Sequence, residues 1–518
     1  MSQFMQLGQT AIQNKNMAEA VDWFTKALEE SPKDPQIQAC LGQSLCWEGL
    51  RDQGIIHLRQ SGQLLLKKAR KNRDISLALD MADQLQYWHD YPGALEVCKQ
   101  AVQINPDVVR GYQLLALSHS RLNQKKSALA AGRKALQLMP GSAMLAILLA
   151  TLEAADGLTA EAKRRLEKVL KNPLLTPEEK FRAHKELARF LDKLGEYDHV
   201  FTHLHQSAEV SKRLPEVLRQ DADCVPQMLE NNKTEFDRDL LGRWSNTLFP
   251  AEPPAPVFLL GFMRTGTTLT QEVLGAHPDV FVADETDLIV TVVKELNQLS
   301  NNQGSVPEQL RKLDLADVLY LRDFYWKRAQ SLYGDKMGGC LLLDKTTMNT
   351  IDLGLINCIF PDAKLVFLLR DPRDVCLSCF MQTMIPTPST VHLLSWQGTA
   401  QFYAQVMAWW MTVKPKLTMD FIEFRYEDAV FEFEPAFRRV FDFMGLDWDP
   451  AVVDFHKHAA GKYIASPSFN QVAQPLYSSS VGRWRHYETE YAAISAWLQP
   501  VINEFGYNEY FAGAALAL

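Results

Sequence analysis

This 518-residue chain lacks an N-terminal apolar run with a basic flank, so neither a secretion signal nor a membrane anchor is expected. Positive charge is in deficit, with 54 Lys and Arg against 62 Asp and Glu and a formal net charge of −8. That balance gives no grounds for a nucleic-acid or membrane partner. Any anion site must be a local basic pocket within an acidic whole. Cysteine is scattered, with eight in all and only Cys376 and Cys379 close together. Their spacing suits a helix, so no metal or redox role is expected of them, and a reducing, cytoplasmic setting follows. The composition, 47% apolar and 22% charged, is that of a globular soluble protein. A chain this long exceeds one core, so two or three domains are expected.

What is present centres on Pro256-Val257-Phe258-Leu259-Leu260-Gly261-Phe262-Met263-Arg264-Thr265-Gly266-Thr267-Thr268-Leu269. A short apolar run bounded by prolines predicts a buried strand. It breaks at Gly261, and an apolar pattern at helical spacing resumes from Leu269 to Leu274. Strand, glycine-bearing loop and helix N-terminus together make a phosphate site, because the first-turn N–H groups and the positive end of the dipole face the anion. Gly266 allows close backbone approach. Four residues separate Gly261 from Gly266, as in a nucleoside-triphosphate P-loop, but Thr267 stands where that loop has lysine. The strong cation is Arg264 instead. A ligand-free strand-to-helix turn is the plain alternative.

The first two hundred residues repeat. Ala94, Ala101 and Pro106 recur as Ala128, Ala135 and Pro140, 34 positions on. Ala20, Ala27 and Pro32 share the internal spacing, Gly54 with Ser61 is a weaker copy, and Ala162 with Val169 continues the phase. Small residues seven apart lie on one helical face and let antiparallel helices approach, while proline ends the second helix of each unit. The period resembles tetratricopeptide repeats. The segment Lys68 to Met81 exceeds one period, so one unit carries an insertion or is distorted. Stacked repeats present a concave groove, either for a peptide or protein partner or as a scaffold without specific ligand. Residues 208–245 are expected to form connecting helices. Phe249 to Pro256 is a stiff, proline-rich boundary. The domains are therefore drawn as 1–207, a connector at 208–255, and 256–518.

In the C-terminal half, Pro256–Leu260, Cys340–Leu343, Leu365–Leu369 and Phe421–Phe424 read as buried parallel strands. Gln271–Ala276, Asp352–Ile359, Val375–Met384 and Pro435–Met444 read as helices. Alternation of this kind argues for a parallel sheet covered on both faces, with ligands beyond the strands' carboxyl ends. Arg264, Glu285, Lys345, Arg370 and Tyr426 are all expected to follow strands.

Arg264-Thr265-Gly266-Thr267-Thr268-Leu269, followed by Ala276-His277-Pro278-Asp279-Val280 and Asp284-Glu285-Thr286, resembles the 5′-phosphosulfate loop of the sulfotransferases, most closely the tyrosylprotein branch. Lys364 to Val375 with Ser378 resembles the same family's 3′-phosphate segment. The likeness covers about residues 250 to 512 and implies a P-loop-like α/β sulfotransferase domain behind a tetratricopeptide-type α-solenoid. It implies that 3′-phosphoadenosine 5′-phosphosulfate (PAPS) is the co-substrate, with no metal. Arg264, Thr265, Gly266, Thr267 and Thr268 would cradle the phosphosulfate, while Arg370 and Ser378 would clamp the 3′-phosphate. The alternative for Arg370 is a salt bridge to Asp371 or Asp374, and Arg373 is expected to form such a pair. Glu285 is the candidate general base, its pKa raised by Asp284, against a capping or ion-pair role. Lys345 matches the lysine that stabilises charge on the leaving group. By resemblance, Tyr426 would lie near the adenine, and Ser468 and Arg483 on a closing loop, with Ser468 touching the transferring group and Arg483 a phosphate. His277 is expected to be structural.

One departure bears on the acceptor. The tyrosylprotein enzymes have arginine after the Glu-Thr pair, which suits acidic peptides, whereas this chain has Asp287. The acceptor is therefore left as a hydroxyl on a protein tyrosine, a glycan or a small molecule. The competing functions are a P-loop nucleotide kinase or other NTPase, disfavoured by Thr267 and by the lack of a magnesium-binding aspartate pair, and a repeat scaffold with a degenerate catalytic half.

Overall fold

The computed structural model describes residues 3–460, 476 and 478–508. The chain separates into two compact units, Met1–His203 and Leu204–Leu518. In the first, helices pair as Gln3–Gln13 with Met17–Glu30, Pro35–Trp47 with Arg51–Asn72, Ser76–Tyr87 with Tyr91–Ile104, Val109–Arg121 with Lys125–Leu138, and Ala143–Ala155 with Thr159–Leu170. Ala20, Ala27, Ala94, Ala101, Ala128 and Ala135 all sit on second helices, and all are buried. Where the repeat has glycine, a Cβ on Gly54 would lie 2.5 Å from the Gly42 carbonyl oxygen. The departure from period is extra helix: Arg51–Asn72 runs for 22 residues against 14 in Met17–Glu30 and Tyr91–Ile104. Leu66 stands where three of the other units have Pro32, Pro106 and Pro140, and the helix runs on until Arg73 turns left-handed at φ 59°.

Among the described residues the second unit holds five strands, β1 (Val257–Gly261), β2 (Val280–Asp284), β3 (Leu341–Lys345), β4 (Lys364–Leu369) and β5 (Asp420–Arg425). All pair in parallel, in the order β2-β3-β1-β4-β5. Val257 and Leu259 face a core with Val273, Val366, Phe437 and Phe441. Phe258 faces the other side, 5.9 Å from Phe360, and Phe367 stacks on Trp410 at 3.8 Å. Covering both faces is what makes the central strands continuously apolar.

Two strands depart from expectation. Phe421–Phe424 was expected to be buried, yet β5 is an edge strand with Asp420, Phe421 and Glu423 exposed, because only β4 flanks it. The other edge strand, β2, supplies the strand that Glu285 was expected to follow. Helices also start earlier than their apolar pattern: Thr267–Leu274 begins beside Gly266, and Pro372–Met381 begins on its proline. Parallel pairing gathers the carboxyl ends of all five strands along one edge. There Arg264, Glu285, Arg370 and Tyr426 follow their strands and Lys345 ends β3.

Candidate active site

The loop after β1 is shaped by two left-handed residues, Arg264 at φ 68° and Gly266 at φ 103°. A Cβ on Gly266 would lie 2.4 Å from Cδ2 of Tyr426, so the aromatic ring after β5 fixes glycine at this turn. The Thr265 hydroxyl donates to the Phe262 carbonyl at 2.7 Å, and the Thr350 hydroxyl donates to the Gly261 carbonyl at 2.7 Å. The helix Thr267–Leu274 then starts at once, presenting its first-turn N–H groups outward. Thr267 Oγ1 lies 3.1 Å from Thr347 Oγ1, which spends its hydroxyl on the segment after β3.

Arg370 joins this loop to two others. Its guanidinium donates to the Arg264 carbonyl at 3.0 Å and to the Ser480 carbonyl at 2.6 Å, and it lies 4.6 Å from the Tyr426 ring centroid. The Tyr426 hydroxyl bonds Ser480 Oγ at 2.7 Å. Arg264 Nε donates to Ser378 Oγ at 3.1 Å, so the expected 5′ and 3′ ligands are in direct contact. The salt bridges that stood as the alternative for Arg370 are not formed, because both acids are engaged elsewhere. Arg373 pairs with Asp371 at 2.7 Å, and Asp374 accepts from the backbone N–H groups of Gly482 and Trp484. Burial pulls the Arg370 guanidinium down, but Asp374, Tyr426, Glu427 and Asp371 outweigh it and hold its pKa above the ordinary value.

At the β2–β3 end, Lys345 Nζ contacts Glu285 Oε1 at 2.6 Å and Asp284 Oδ1 at 3.1 Å. Lys345 is 1% exposed and Glu285 43%, so the ammonium is shielded while one carboxylate is open to an incoming molecule. Burial lowers the lysine's pKa, yet Asp284 and Glu285 more than offset it and the net shift is upward. Glu285 has φ 49°, held by its N–H donating to the Lys345 carbonyl at 2.8 Å. The ion pair that stood as an alternative for Glu285 is thus present, with Lys345 as its partner. Asp344 behind it bonds the Tyr325 hydroxyl at 2.9 Å, and burial lifts its carboxyl to about 7.

The remaining expected ligands divide. Thr268 is buried in the first helical turn. Arg483 sends Nη2 to the Met381 sulfur at 3.0 Å, on the helix that carries Ser378. Ser468 lies outside the described residues. His277 accepts from the Asp279 N–H at Nδ1 and bonds the Asp447 carbonyl through Nε2, a structural arrangement. Thr347, Thr350, Asp374 and Ser480 complete the site and carried no signal of their own, since single hydroxyls and acids at loop positions are common.

The geometry suits an anion. A buried guanidinium with Nε lacking a hydrogen-bond partner among the described residues faces a helix start across a glycine turn that admits no side chain. Among the described residues, no group of three or more His, Cys, Asp or Glu gathers as a metal site, and no helix is long and apolar enough to cross a membrane.

Comparison with known families gives two matches along the chain: residues 256–450 match the model described as "Sulfotransferase family", and residues 4–34 match the tetratricopeptide repeat. Among curated proteins, the chain is 27% identical over 338 residues to an uncharacterised protein of Aquifex aeolicus, covering 64% of this chain and 43% of that one. It is 24% identical over 247 residues to protein-tyrosine sulfotransferase A of Caenorhabditis elegans, covering 44% of this chain and 60% of that one. The chain thus spans less than two thirds of either relative. The sulfotransferase domain of a Synechococcus olefin synthase aligns at a TM-score of 0.32 and 17% identity, over 45% of this chain and 88% of that domain.

Proposed function

We propose that the protein transfers a sulfuryl group from PAPS to a hydroxyl acceptor by in-line displacement. The observation that carries this reading is the linked set Arg264, Ser378 and Arg370, set against the Gly266 turn and apart from an exposed carboxylate paired with a buried ammonium. Residues 264–268 would hold the 5′-phosphosulfate, with Arg370 and Ser378 on the 3′-phosphate and Tyr426 and Arg483 nearby. As the acceptor oxygen bonds to sulfur, its proton passes to Glu285. The bond from sulfur to the phosphate oxygen breaks, and that oxygen keeps the electron pair, with Lys345 as the cation beside it. The acceptor is a protein tyrosine, glycan or small hydroxyl compound, and the repeat unit binds an acceptor or partner peptide. All eight cysteines are free thiols, which supports a reducing, cytoplasmic setting.

Nucleotide triphosphate chemistry has less support, because Thr267 replaces the P-loop lysine and is bonded to Thr347. The test is retention on immobilised adenosine 3′,5′-bisphosphate against immobilised ATP. Strong retention on the first, lost in Arg370→Met, is expected. Equal or stronger retention on ATP would overturn the reading.

A further inference from the structure

The charges around Glu285 say something about the acceptor beyond its hydroxyl. Asp287, two residues on and 42% exposed, is clasped by the 14% exposed Arg328, with Nη2 to Oδ2 at 2.6 Å and Nε to Oδ1 at 3.2 Å. Asp287 also starts the helix Leu288–Leu299, where a carboxylate is favoured by the dipole. Lys345 is engaged by Asp284 and Glu285, so both cations of this corner are already spent on carboxylates. Three carboxylates, Asp284, Glu285 and Asp287, stand against two cations, Lys345 and Arg328, and the two most exposed groups, Glu285 and Asp287, are both acidic. The Tyr333 phenol reports the same field from within: burial first, then Asp344, Asp284 and Asp287, push its pKa upward. Between the two exposed acids, Thr286 Oγ1 is buried without a hydrogen-bond partner among the described residues.

Resting on the sulfotransferase reading, we infer that Asp287 is a specificity-determining residue that makes this corner reject anionic acceptors, so that the acceptor is a neutral or cationic hydroxyl compound or peptide. Specificity of this kind works by repulsion: a carboxylate or sulfate on the acceptor would meet like charge, since Lys345 is already paired with Asp284 and Glu285 and Arg328 is cancelled by Asp287. Replacing Asp287 by an amide keeps the shape and leaves the positive charge of Arg328 uncancelled. Removing the charge of Arg328 does the opposite.

The experiment splits a tryptic peptide digest and a small-molecule cell extract by ion exchange into cationic, neutral and anionic pools before exposure. Each pool is incubated with sulfur-labelled PAPS and the full-length wild type, Asp287→Asn or Arg328→Gln. The wild type is expected to label the cationic and neutral pools at least about tenfold more than the anionic one, a difference of about 1.4 kcal/mol. Asp287→Asn should close most of that ratio and Arg328→Gln should widen it. Equal or preferred labelling of the anionic pool by the wild type overturns the inference. So does an unchanged ratio in Asp287→Asn with all pools reduced alike, which would mark a merely structural pair. No label in any pool from the wild type overturns the sulfotransferase reading itself, and this inference with it.

Discussion

Replacing Gly266 by alanine tests whether the turn is built around an anion or is incidental. Two costs follow from the geometry. At φ 103° a Cβ meets the backbone sterics of the left-handed region, about 1–2 kcal/mol. The same Cβ would sit 2.4 Å from Cδ2 of Tyr426, and relieving such overpacking costs about 1–3 kcal/mol. Tyr426 cannot retreat freely, since its hydroxyl is bonded to Ser480 and its ring lies under Arg370. The expected loss is therefore about 2–5 kcal/mol in the C-terminal unit. Urea unfolding followed by tryptophan fluorescence reads it, because the fully buried Trp396, Trp409 and Trp410 all lie in that unit. Retention on immobilised adenosine 3′,5′-bisphosphate should fall in the same variant, as the ring displaced by the methyl carries Arg370 with it. A double-mutant cycle with Tyr426→Ala separates the terms: the steric part, about 1–3 kcal/mol, should appear as coupling, while the backbone part persists. If Gly266→Ala unfolds within about 0.5 kcal/mol of wild type and binds as well, the packing argument is wrong.

Three further outcomes are expected. Glu285→Gln should lower donor turnover by about 10²–10⁴-fold while leaving bisphosphate retention intact; full turnover with a matched acceptor would remove Glu285 as base. Burial lifts the Glu427 carboxyl from its ordinary 4.5 to about 7, against the Asp371 N–H and Arg370, which pull it down. The folded state thus holds a proton that the unfolded chain releases earlier. That contribution is full below about 4.5 and is lost as pH rises through about 7, so urea midpoints should fall from pH 5 to pH 8. Glu427→Gln should flatten the trend, and an unchanged slope would refute the assignment. In the repeat unit, Ala101→Leu should cost about 1–3 kcal/mol by circular dichroism, since Ala101 is fully buried; a neutral result would mean that the helices do not meet there.

What the sequence discloses follows from the range of the interactions involved. The repeat was legible because its contacts recur within each helix pair, so small residues such as Ala94 and Ala101 mark the same face unit after unit. The central strands were legible because burial on both faces leaves unbroken apolar runs, as in Val257–Leu260 and Leu365–Leu369. At the edges that signal fails. In β5 only Phe424 is buried, and in β2 only Val280 and Ala283 are, so neither strand has to keep an unbroken apolar run. The loop after β1 was readable from local backbone demands, namely a glycine where a left-handed turn precedes a helix.

The pairings were not readable. Arg370 settles on two carbonyls rather than on Asp371 or Asp374, because Arg373 is nearer to one acid and the N–H groups of Gly482 and Trp484 claim the other. Asp287 looks like a bare negative charge in the chain, and only folding reveals that it cancels Arg328, 41 residues away. A short run can specify what the backbone must do, whereas the net charge felt by a ligand depends on which distant side chain arrives first. The positions proposed to hold the donor anion are therefore more legible than those proposed to select the acceptor. Discrimination between acceptors should accordingly respond to substitutions at Asp287 and Arg328 that leave the anion-holding loop unaltered.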